Sequence, residues 1–523
     1  MKQTKEIVRG RNDVMNTADA VNHENFKAWS KSDAELLNQF AMTGTLGASF
    51  YANAKETTDA ALDLLNRADA DSIASAIVIG RNEGFIRTFP ILGLVELSKK
   101  SPKKFRDVFS QVIKTGNDLI DFIELCKAAR GLGRAVKSAI AAWIECSVNE
   151  YYAQKYRNQL ADAIRLVRFK GDRDPIYGYI LAGYGERLKT WSKSKLDAAY
   201  AKYPALLAHR RFIDAITAND NAAACAILRE FKLDVDSLTA YYDKFDVSVW
   251  REIARLSPCM RFMKYLNKFD RAGVFKNGIA LAEQKMTVAN FQKARVFPFR
   301  LYTAYMNIAN SAVRDLLAQV LDDYVSSYDW GRFNAYSWAI CPDVSGSMCS
   351  PCEKGGNLRY IDIAGMFTGF FRKGLRDCRV IPWSHQVFDW RIPKNDSIIT
   401  HIDALRRLGG GTDMSCALRY LTEKNVKRDF FIFVTDTEEY GGIRRDGRSW
   451  ISAWIEYRRR VNSRAEAFVL RSDSYLTNPF SDADALKYGI HPIYGWNDNV
   501  VKYISYIVDR RCDPSNAAKY PLP

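Results

Sequence analysis

The chain has 523 residues, which at about 150 residues per domain is too long for one compact core and predicts two to four folding units. Hydrophobic residues make up 47% and charged residues 26% of it, a balance that excludes collagen-like, low-complexity and disordered sequences. The 76 Lys and Arg exceed the 60 Asp and Glu by 16, which favours polyanionic partners such as nucleic acid or an anionic membrane surface.

Neither targeting signals nor cysteine spacing indicates a membrane or secreted protein. No apolar run reaches the roughly 18 residues that a bilayer span requires, and the first ten residues lack the apolar core of a signal peptide. The ten cysteines are irregularly spaced, and the one local cluster, Cys341, Cys349 and Cys352, has no second pair at zinc-finger spacing. We therefore expect a cytoplasmic protein with reduced cysteines.

Residues 1–335 show the apolar spacing of helices and no strand-like alternation. Ser101-Pro102 and Ser32-Asp33 supply helix start signals. The helices predicted in the first third of the chain cover residues 34–40, 58–66, 72–79, 91–97, 105–113 and 119–126. Many short helices in succession predict a degenerate helical-repeat array, similar to HEAT repeats.

From residue 336 to 523 the pattern alternates between strands and helices. The run from Asp429 to Thr435, DFFIFVT, is almost wholly hydrophobic, as expected of a central parallel strand that is buried on both faces. Further strands are predicted at 336–341, 379–383 and 465–470, and helices at 360–375, 414–421, 450–461 and 500–508. This alternation predicts a doubly wound α/β domain.

Oxygen-bearing side chains follow the predicted strands of this domain, at the sheet edge where ligands bind in open α/β folds. They are Asp343, Ser345 and Ser347 in the segment DVSGS, Thr412 after three glycines, and Asp436 after DFFIFVT. All are hard oxygen donors, which suit Mg²⁺ or Mn²⁺. The plainer interpretation is that they make turns and helix caps.

This five-part pattern matches the metal-ion-dependent adhesion site of von Willebrand factor A-type domains. The resemblance implies that Asp343, Ser345, Ser347 and Thr412 contact the cation directly and that Asp436 acts through water. It also implies an open position in the coordination sphere, which a partner carboxylate or a phosphate oxygen could fill. Enzymatic use is disfavoured because Pro342 stands where a G-x-S-x-G nucleophile elbow needs its first glycine.

The order of a helical array and an A-type domain resembles the TROVE-domain family, which contains the Ro autoantigen and its bacterial relatives. The blocks that carry the resemblance are TGTLGASFYANA (43–54), RGLGRAVKSAIAAW (130–143) and KARVFPFRLYTAY (293–305). It implies a ring of helical repeats closed by the A domain. It further implies that Y-type RNA binds the outer surface and that single-stranded ends of misfolded RNAs enter the central hole.

Basic residues at helical spacing form three predicted stripes. The first two are assigned to the outer RNA surface or its border, and the third to the inner channel. The first contains Arg130, Arg134 and Lys137; the second, which resembles RNA-contacting segments of the family, contains Lys155, Arg157, Arg165, Arg168 and Lys170; the third contains Arg261, Lys264, Lys268 and Arg271. Arg165 and Arg168 are three apart and should share one helix face. Gly131 and Gly133 are interpreted as close helix packing. A solvated helix face is the alternative for any one stripe.

The sequence thus predicts a noncatalytic, monomeric RNA-binding protein that takes part in RNA quality control, with an exoribonuclease as a possible partner. Two alternatives stay open. In one, the A domain captures an acidic residue of a partner protein through Mg²⁺ and the helical array is a docking scaffold. In the other, the metal site belongs to a nuclease, although two-metal nucleases cluster carboxylates where this site has hydroxyls.

Overall fold

Helices dominate the first two thirds of the chain. The structure is a computed structural model that describes residues 17–23, 25–43, 46, 54–169, 174–182, 190–231, 233–294, 296, 298–352, 356–438, 449–471, 475–496 and 499–512. The helices of the array are α1 (Asp33–Thr43), α2 (Ala54–Arg67), α3 (Ala70–Asn82), α4 (Thr88–Lys100), α5 (Pro102–Val112), α6 (Gly116–Ala129), α7 (Arg134–Ser147), α8 (Glu150–Lys155), α9 (Arg157–Val167), α10 (Pro175–Ala182), α11 (Lys193–Lys202), α12 (Pro204–Thr217), α13 (Asn221–Glu230), α14 (Val247–Leu256), α15 (Cys259–Lys264), α16 (Leu266–Arg271), α17 (Ala280–Lys285), α18 (Val288–Lys293), α19 (Pro298–Asn307) and α20 (Ser311–Ser326). A 3₁₀ segment, Val235–Lys244, lies between α13 and α14.

Side-chain caps explain where several of these helices begin. At α5 the Ser101 hydroxyl accepts a hydrogen bond from the backbone N–H of Lys104, and Pro102 occupies the first turn. At α6 Thr115 and Asp118 form a reciprocal capping box. All six helices predicted in the first third of the chain are present.

The α/β domain follows the array. Its strands are β3 (Trp338–Pro342), β4 (Cys378–Val380), β5 (Phe430–Thr435), β6 (Glu466–Arg471), β7 (Thr477–Asn478) and β8 (Ile490–Tyr494), and its helices are α21 (Tyr360–Gly374), α22 (Ile398–Leu405), α23 (Cys416–Glu423), α24 (Trp450–Arg460), α25 (Asp482–Tyr488) and α26 (Asn499–Cys512). Five strands form a parallel sheet in the order β4-β3-β5-β6-β8. The predicted pairing of a helical array with a doubly wound domain is confirmed.

Alternate residues of the central strands face different cores. Phe430, Ile432 and Val434 of β5 pack with α21, α22 and α26, whereas Phe431 and Phe433 pack with α23 and α24. The first of these cores also includes α12 to α20, so the second half of the array and one face of the sheet share one hydrophobic interior. The α/β domain, which is called the A domain below, is therefore built into the array and is not attached to it by a linker.

The start of the chain also packs on the A domain. Two strands, β1 (Ala20–Val21) and β2 (Lys27–Ser30), precede α1, and β2 pairs with β7 of the A domain in antiparallel register. These strands correct the expectation that no strand occurs before residue 335. They escaped prediction because they span only two and four residues and pair with a segment almost 450 positions away.

A buried polar cluster fixes this joint. The Glu35 carboxylate of α1 lies 3.5 Å from the Arg471 guanidinium and accepts hydrogen bonds from Asn478 and Tyr494. Arg471 is fully buried, so its charge depends on this carboxylate. Since α20 packs on α21 at the other end, the array contacts the A domain at both ends and closes into a ring.

No helix in the described part of the chain combines the length and apolar character that crossing a bilayer requires.

Candidate functional site

The predicted metal-site residues come from three loops that meet beyond β3 and β5. The Asp343 N–H donates to Val434 O at 2.9 Å, which places the first loop beside the end of β5. The Gly346 N–H donates to Gly410 O at 3.0 Å, which joins the first loop to the second. All five predicted residues are buried; they are Asp343, Ser345, Ser347, Thr412 and Asp436.

Hydrogen bonds orient the Asp343 carboxylate. Its Oδ1 accepts from the Ser345 N–H at 2.8 Å, and its Oδ2 accepts from the Thr435 hydroxyl at 2.7 Å. The hydroxyls of Ser345 and Ser347 lie 3.2 Å apart. Three of the predicted residues are therefore connected directly, and Asp436 adjoins Thr435, a partner that the sequence prediction did not assign.

This arrangement fits a divalent cation. Asp343 is fully buried and has no cationic side chain within ion-pair distance among the described residues, and burial raises its pKa to about 6. A cation in front of Asp343, Ser345 and Ser347 would supply the missing positive charge. In the described ranges no group of three or more His, Cys, Asp and Glu side chains is placed to hold a metal ion, and the Asp343 site itself has only two carboxylates beside its hydroxyls.

A cavity of about 1060 Å³ lies inside the ring. Its walls come from α1, α4, α8, α15, α19 and the A domain, including Asn357 and Trp496. The basic residues that line it are Arg87, Lys155, Arg261, Lys264 and Arg300. Asp236 is the one carboxylate among the described lining residues, so cations outnumber carboxylates on the wall itself. Behind the wall, Arg87 also pairs with Asp118 and Asp121, and Arg261 with Asp234.

Polar partners hold three of these cations in place. The Tyr151 hydroxyl accepts from Lys155 Nζ at 3.2 Å and from Arg261 Nη2 at 3.0 Å. The Asp236 carboxylate lies 3.5 Å from Lys155 Nζ and 3.3 Å from Lys264 Nζ. Burial alone would lower the pKa of Lys155, but the Tyr151 contact raises it, so the ammonium group stays charged.

Lys155 requires a correction. The sequence prediction assigned it to the outer RNA surface or its border, whereas it lines the same cavity as Arg261 and Lys264. Arg261 and Lys264, which were predicted to face an inner channel, line this cavity. Lys268 lies away from the lining, with its ammonium 4.8 Å from the centre of the Tyr242 ring. Arg87 and Arg300 were missed, although Arg300 lies in the basic block 293–305.

The first predicted stripe is not one helical face. Arg130 follows the end of α6 and donates to Ser98 O, whereas Arg134 begins α7. Gly131, with φ +78°, separates them, and no atom lies within 4 Å of the place a Cβ would occupy. The glycine is therefore required by the backbone turn and not by close helix packing.

The second stripe is interrupted in the same way. Arg165 lies in the last turn of α9, but Arg168 has φ 52° and stands beyond the helix end, so the two do not share a helix face. Arg134, Arg165 and Arg168 are exposed and lie outside the cavity lining. Arg157 is half-buried, and Lys170 lies outside the described residues, as does most of the block 43–54.

Comparison with known proteins identifies the relatives of this chain. Residues 337–508 match the family described as the Ro60 vWA domain. "RNA-binding protein RO60" of Deinococcus radiodurans is 22% identical over 451 residues, which are 79% of this chain and 82% of that protein. The crystal structure of the Deinococcus radiodurans RO (RSR) protein superimposes with a TM-score of 0.64 at 18% identity, covering 91% of this chain and 99% of that one, which shows a shared fold. The predicted resemblance to the Ro family is confirmed.

Proposed function

We propose that this Ro-type chain binds RNA without acting on it chemically. The proposal starts from the match of residues 337–508 to the Ro60 vWA domain family. The observation that carries the proposal is the basic cavity of the ring. Guanidinium and ammonium groups that are far apart in sequence meet there, and RNA phosphates are the polyanions that such a surface attracts.

A single RNA strand is the form that this cavity suits. Its wall includes Phe85, Phe299 and Trp496 beside the cations, and unpaired bases stack on aromatic rings while phosphates pair with basic groups. We infer that single-stranded ends of misfolded RNAs occupy the cavity. In this role the protein presents such ends, as a cytoplasmic monomer, to an exoribonuclease partner.

The first prediction concerns the cavity cations. Combined replacement of Lys155, Arg261 and Lys264 by Glu should weaken binding of an RNA with a single-stranded 3′ tail by roughly 100-fold, because three phosphate contacts become repulsive. The measurement is a gel shift at fixed salt. The matched control replaces the exposed Lys424, Lys487 and Lys502 of the A domain by Glu, which changes the net charge equally. Equal loss in both variants would mean that binding follows net charge and not the cavity.

Structured RNA of the Y-like type is proposed to bind outside the cavity. The exposed Arg134, Arg165 and Arg168, with the half-buried Lys137 and Arg157, supply the basic surface. The variant in which the three exposed arginines are replaced by Glu should lose a hairpin RNA in the same gel shift and keep the tailed RNA. If this variant lost binding of both RNAs, the hairpin and the tailed RNA would share one binding site, which would contradict the proposal of two.

A second candidate function rests on the buried Asp343. We propose that Asp343, Ser345, Ser347, Thr412 and Asp436 hold Mg²⁺ and that the cation binds an acidic residue of a partner protein. A divalent cation held there with one open coordination position would accept that carboxylate as a ligand. This role requires no reaction of the RNA.

The second prediction tests the metal. Mg²⁺ or Mn²⁺ should raise the melting temperature of the protein, since a ligand that binds only the folded state stabilises it by mass action. Asp343→Asn should remove the metal-dependent shift, and Asp323→Asn, at an exposed position of α20, should keep it. Differential scanning fluorimetry with EDTA and metal arms measures this. Identical shifts in the two variants would assign the metal elsewhere.

A further inference from the structure

A second cavity, of about 540 Å³, lies on the A domain along β4, the edge strand of its sheet. It shares no lining residue with the cavity inside the ring. Its walls come from α21, α23, β4 and the segment 387–392, and its size is within the range of pockets that enclose small molecules. The inference drawn from it stands independently of the proposed RNA-binding function.

Three arginines line this cavity. Arg372 donates to Cys378 O at 3.0 Å, Arg379 donates to the Tyr420 hydroxyl at 3.0 Å, and Arg428 donates to Lys427 O at 3.0 Å. These bonds use only a fraction of the five N–H donors that each guanidinium carries. The remaining donors can serve an anion with several acceptor oxygens.

Few carboxylates offset these charges. Asp377 lies 3.6 Å from Arg428, and its side chain is largely exposed. Asp389 is the one carboxylate among the described lining residues, and its Oδ2 accepts from Arg391 Nε at 2.7 Å. The lining therefore carries a net positive charge.

Two buried N–H groups of the same lining have no acceptor among the described residues: Nε of Arg428 and Nε1 of Trp390. A buried donor without an acceptor costs about 1–3 kcal/mol, so native structures rarely retain one without a ligand or water. Both groups would be satisfied by acceptor oxygens of a bound anion. They are the second, independent sign that this lining is built for one.

Aromatic rings in the lining indicate a ligand that carries a flat apolar group as well as a phosphate. Phe388, Trp390 and Tyr420 line it, and Trp390 is supported by the ring of His401, whose centre is 5.6 Å away at 14° to it. Flat apolar surfaces beside arginines are what a base and its phosphate require together. We propose that this cavity binds a nucleotide, with its phosphate on Arg372, Arg379 and Arg428 and its base against the aromatic side chains.

The nucleotide could be free or could belong to an RNA chain. Isothermal titration of the full-length protein with AMP, inorganic phosphate and a 5′-phosphorylated RNA trinucleotide separates these sources. Binding of AMP assigns a free nucleotide, whereas binding of the trinucleotide alone assigns an RNA end, and either result supports the proposal. Phosphate should bind at least tenfold more weakly than the better of the two. The proposal is overturned if phosphate binds as well as the better of the two, or if neither AMP nor the trinucleotide binds.

Matched variants localise the binding. Arg379→Gln should weaken nucleotide binding at least tenfold. Trp390→Phe, which keeps an aromatic ring and removes the indole N–H, should weaken it severalfold. Arg376→Gln, an exposed arginine outside the lining, should change it less than twofold. Asp389→Asn should tighten it.

The Arg261→Gln variant distinguishes this cavity from the one in the ring. It should leave AMP binding unchanged, whether or not the RNA proposal holds. Thermal melts confirm that each variant is folded. Nucleotide affinity that is equal in wild type, Arg379→Gln and a folded Arg428→Gln would refute the site.

Discussion

Asp343 and Asp413 show how much depends on a single neighbour. Both are buried carboxylates near the sheet edge, but Asp413 accepts from the Arg419 guanidinium at 2.6 Å and from Ser415, whereas Asp343 is bonded only to neutral donors. Arg419 neutralises one carboxylate, whereas no cationic side chain among the described residues lies within ion-pair distance of the other. The loop sequence predicted a metal site at Asp343, Ser345 and Ser347, which stays a prediction, and Thr435 as a partner of Asp343 emerged only from the fold.

His401 is a second residue whose environment defines its chemistry. It is fully buried, and neither ring nitrogen has a hydrogen-bond partner among the described residues. Burial, assisted by Lys373 and Arg372, lowers its pKa to about 4. The ring is therefore neutral in the folded protein, as a stacking partner of Trp390.

The third prediction follows from this pKa. Between the unfolded value near 6.5 and the folded value near 4, the unfolded chain binds a proton that the folded chain excludes, so stability falls as pH falls through this range, by on the order of 3 kcal/mol. His401→Phe should remove that part of the loss. Urea unfolding at pH 7 and pH 4.5 measures it. If the variant and the wild type lost equal stability between pH 7 and pH 4.5, the result would contradict a neutral His401. His209, with a pKa also lowered to about 4 by burial, contributes to the loss in both.

At the scale of elements, apolar periodicity predicted helix interiors well and helix ends poorly. The buried faces of α1 to α6 follow the spacing in the sequence, because each face packs on its neighbour. The basic stripes failed at Gly131 and Arg168, where a positive φ ends or separates helices. Exposed basic residues are not constrained by packing, so their spacing continues across a break that apolar residues would reveal.

The fourth prediction belongs to the end of α9. Arg168 adopts φ 52°, and its N–H and that of Phe169 reach back to Ile164 O. Arg168→Gly should stabilise the protein by roughly 0.5–1 kcal/mol, since a left-handed L-residue is strained by more than the added flexibility of glycine costs. Thermal melts compare it with Arg165→Gly, in the last turn of α9, which should destabilise. A shift of the same sign in both would contradict the left-handed end. If Arg168 binds structured RNA, the stabilised variant should also bind a hairpin more weakly.

At the scale of the whole molecule, ring closure brings the basic residues of the cavity together. Lys155 and Arg261 are more than 100 residues apart, yet both contact Tyr151. Their proximity depends on how successive helices stack, and on contacts of the A domain with both α1 and α20. No local sequence pattern determines which distant residues become neighbours. The sequence therefore showed that Lys155 and Arg261 are basic, but it did not predict that they share one cavity.

The shared cavity also joins the two parts of the chain. Asn307 of α19 accepts through Oδ1 from Asn357 of the A domain at 3.2 Å, and Trp496 lies in the same wall. An RNA strand inside the ring would therefore contact helices and A domain at once.

The most direct test of that claim is photo-crosslinking of an RNA whose single-stranded 3′ tail carries 4-thiouridine, followed by mass spectrometry of the crosslinked peptides. RNA bound inside the ring should crosslink to peptides that contain Phe85, Phe299 or Trp496, from both the array and the A domain. Crosslinks confined to peptides outside the cavity, such as those of Arg134 and Arg165, would contradict the account.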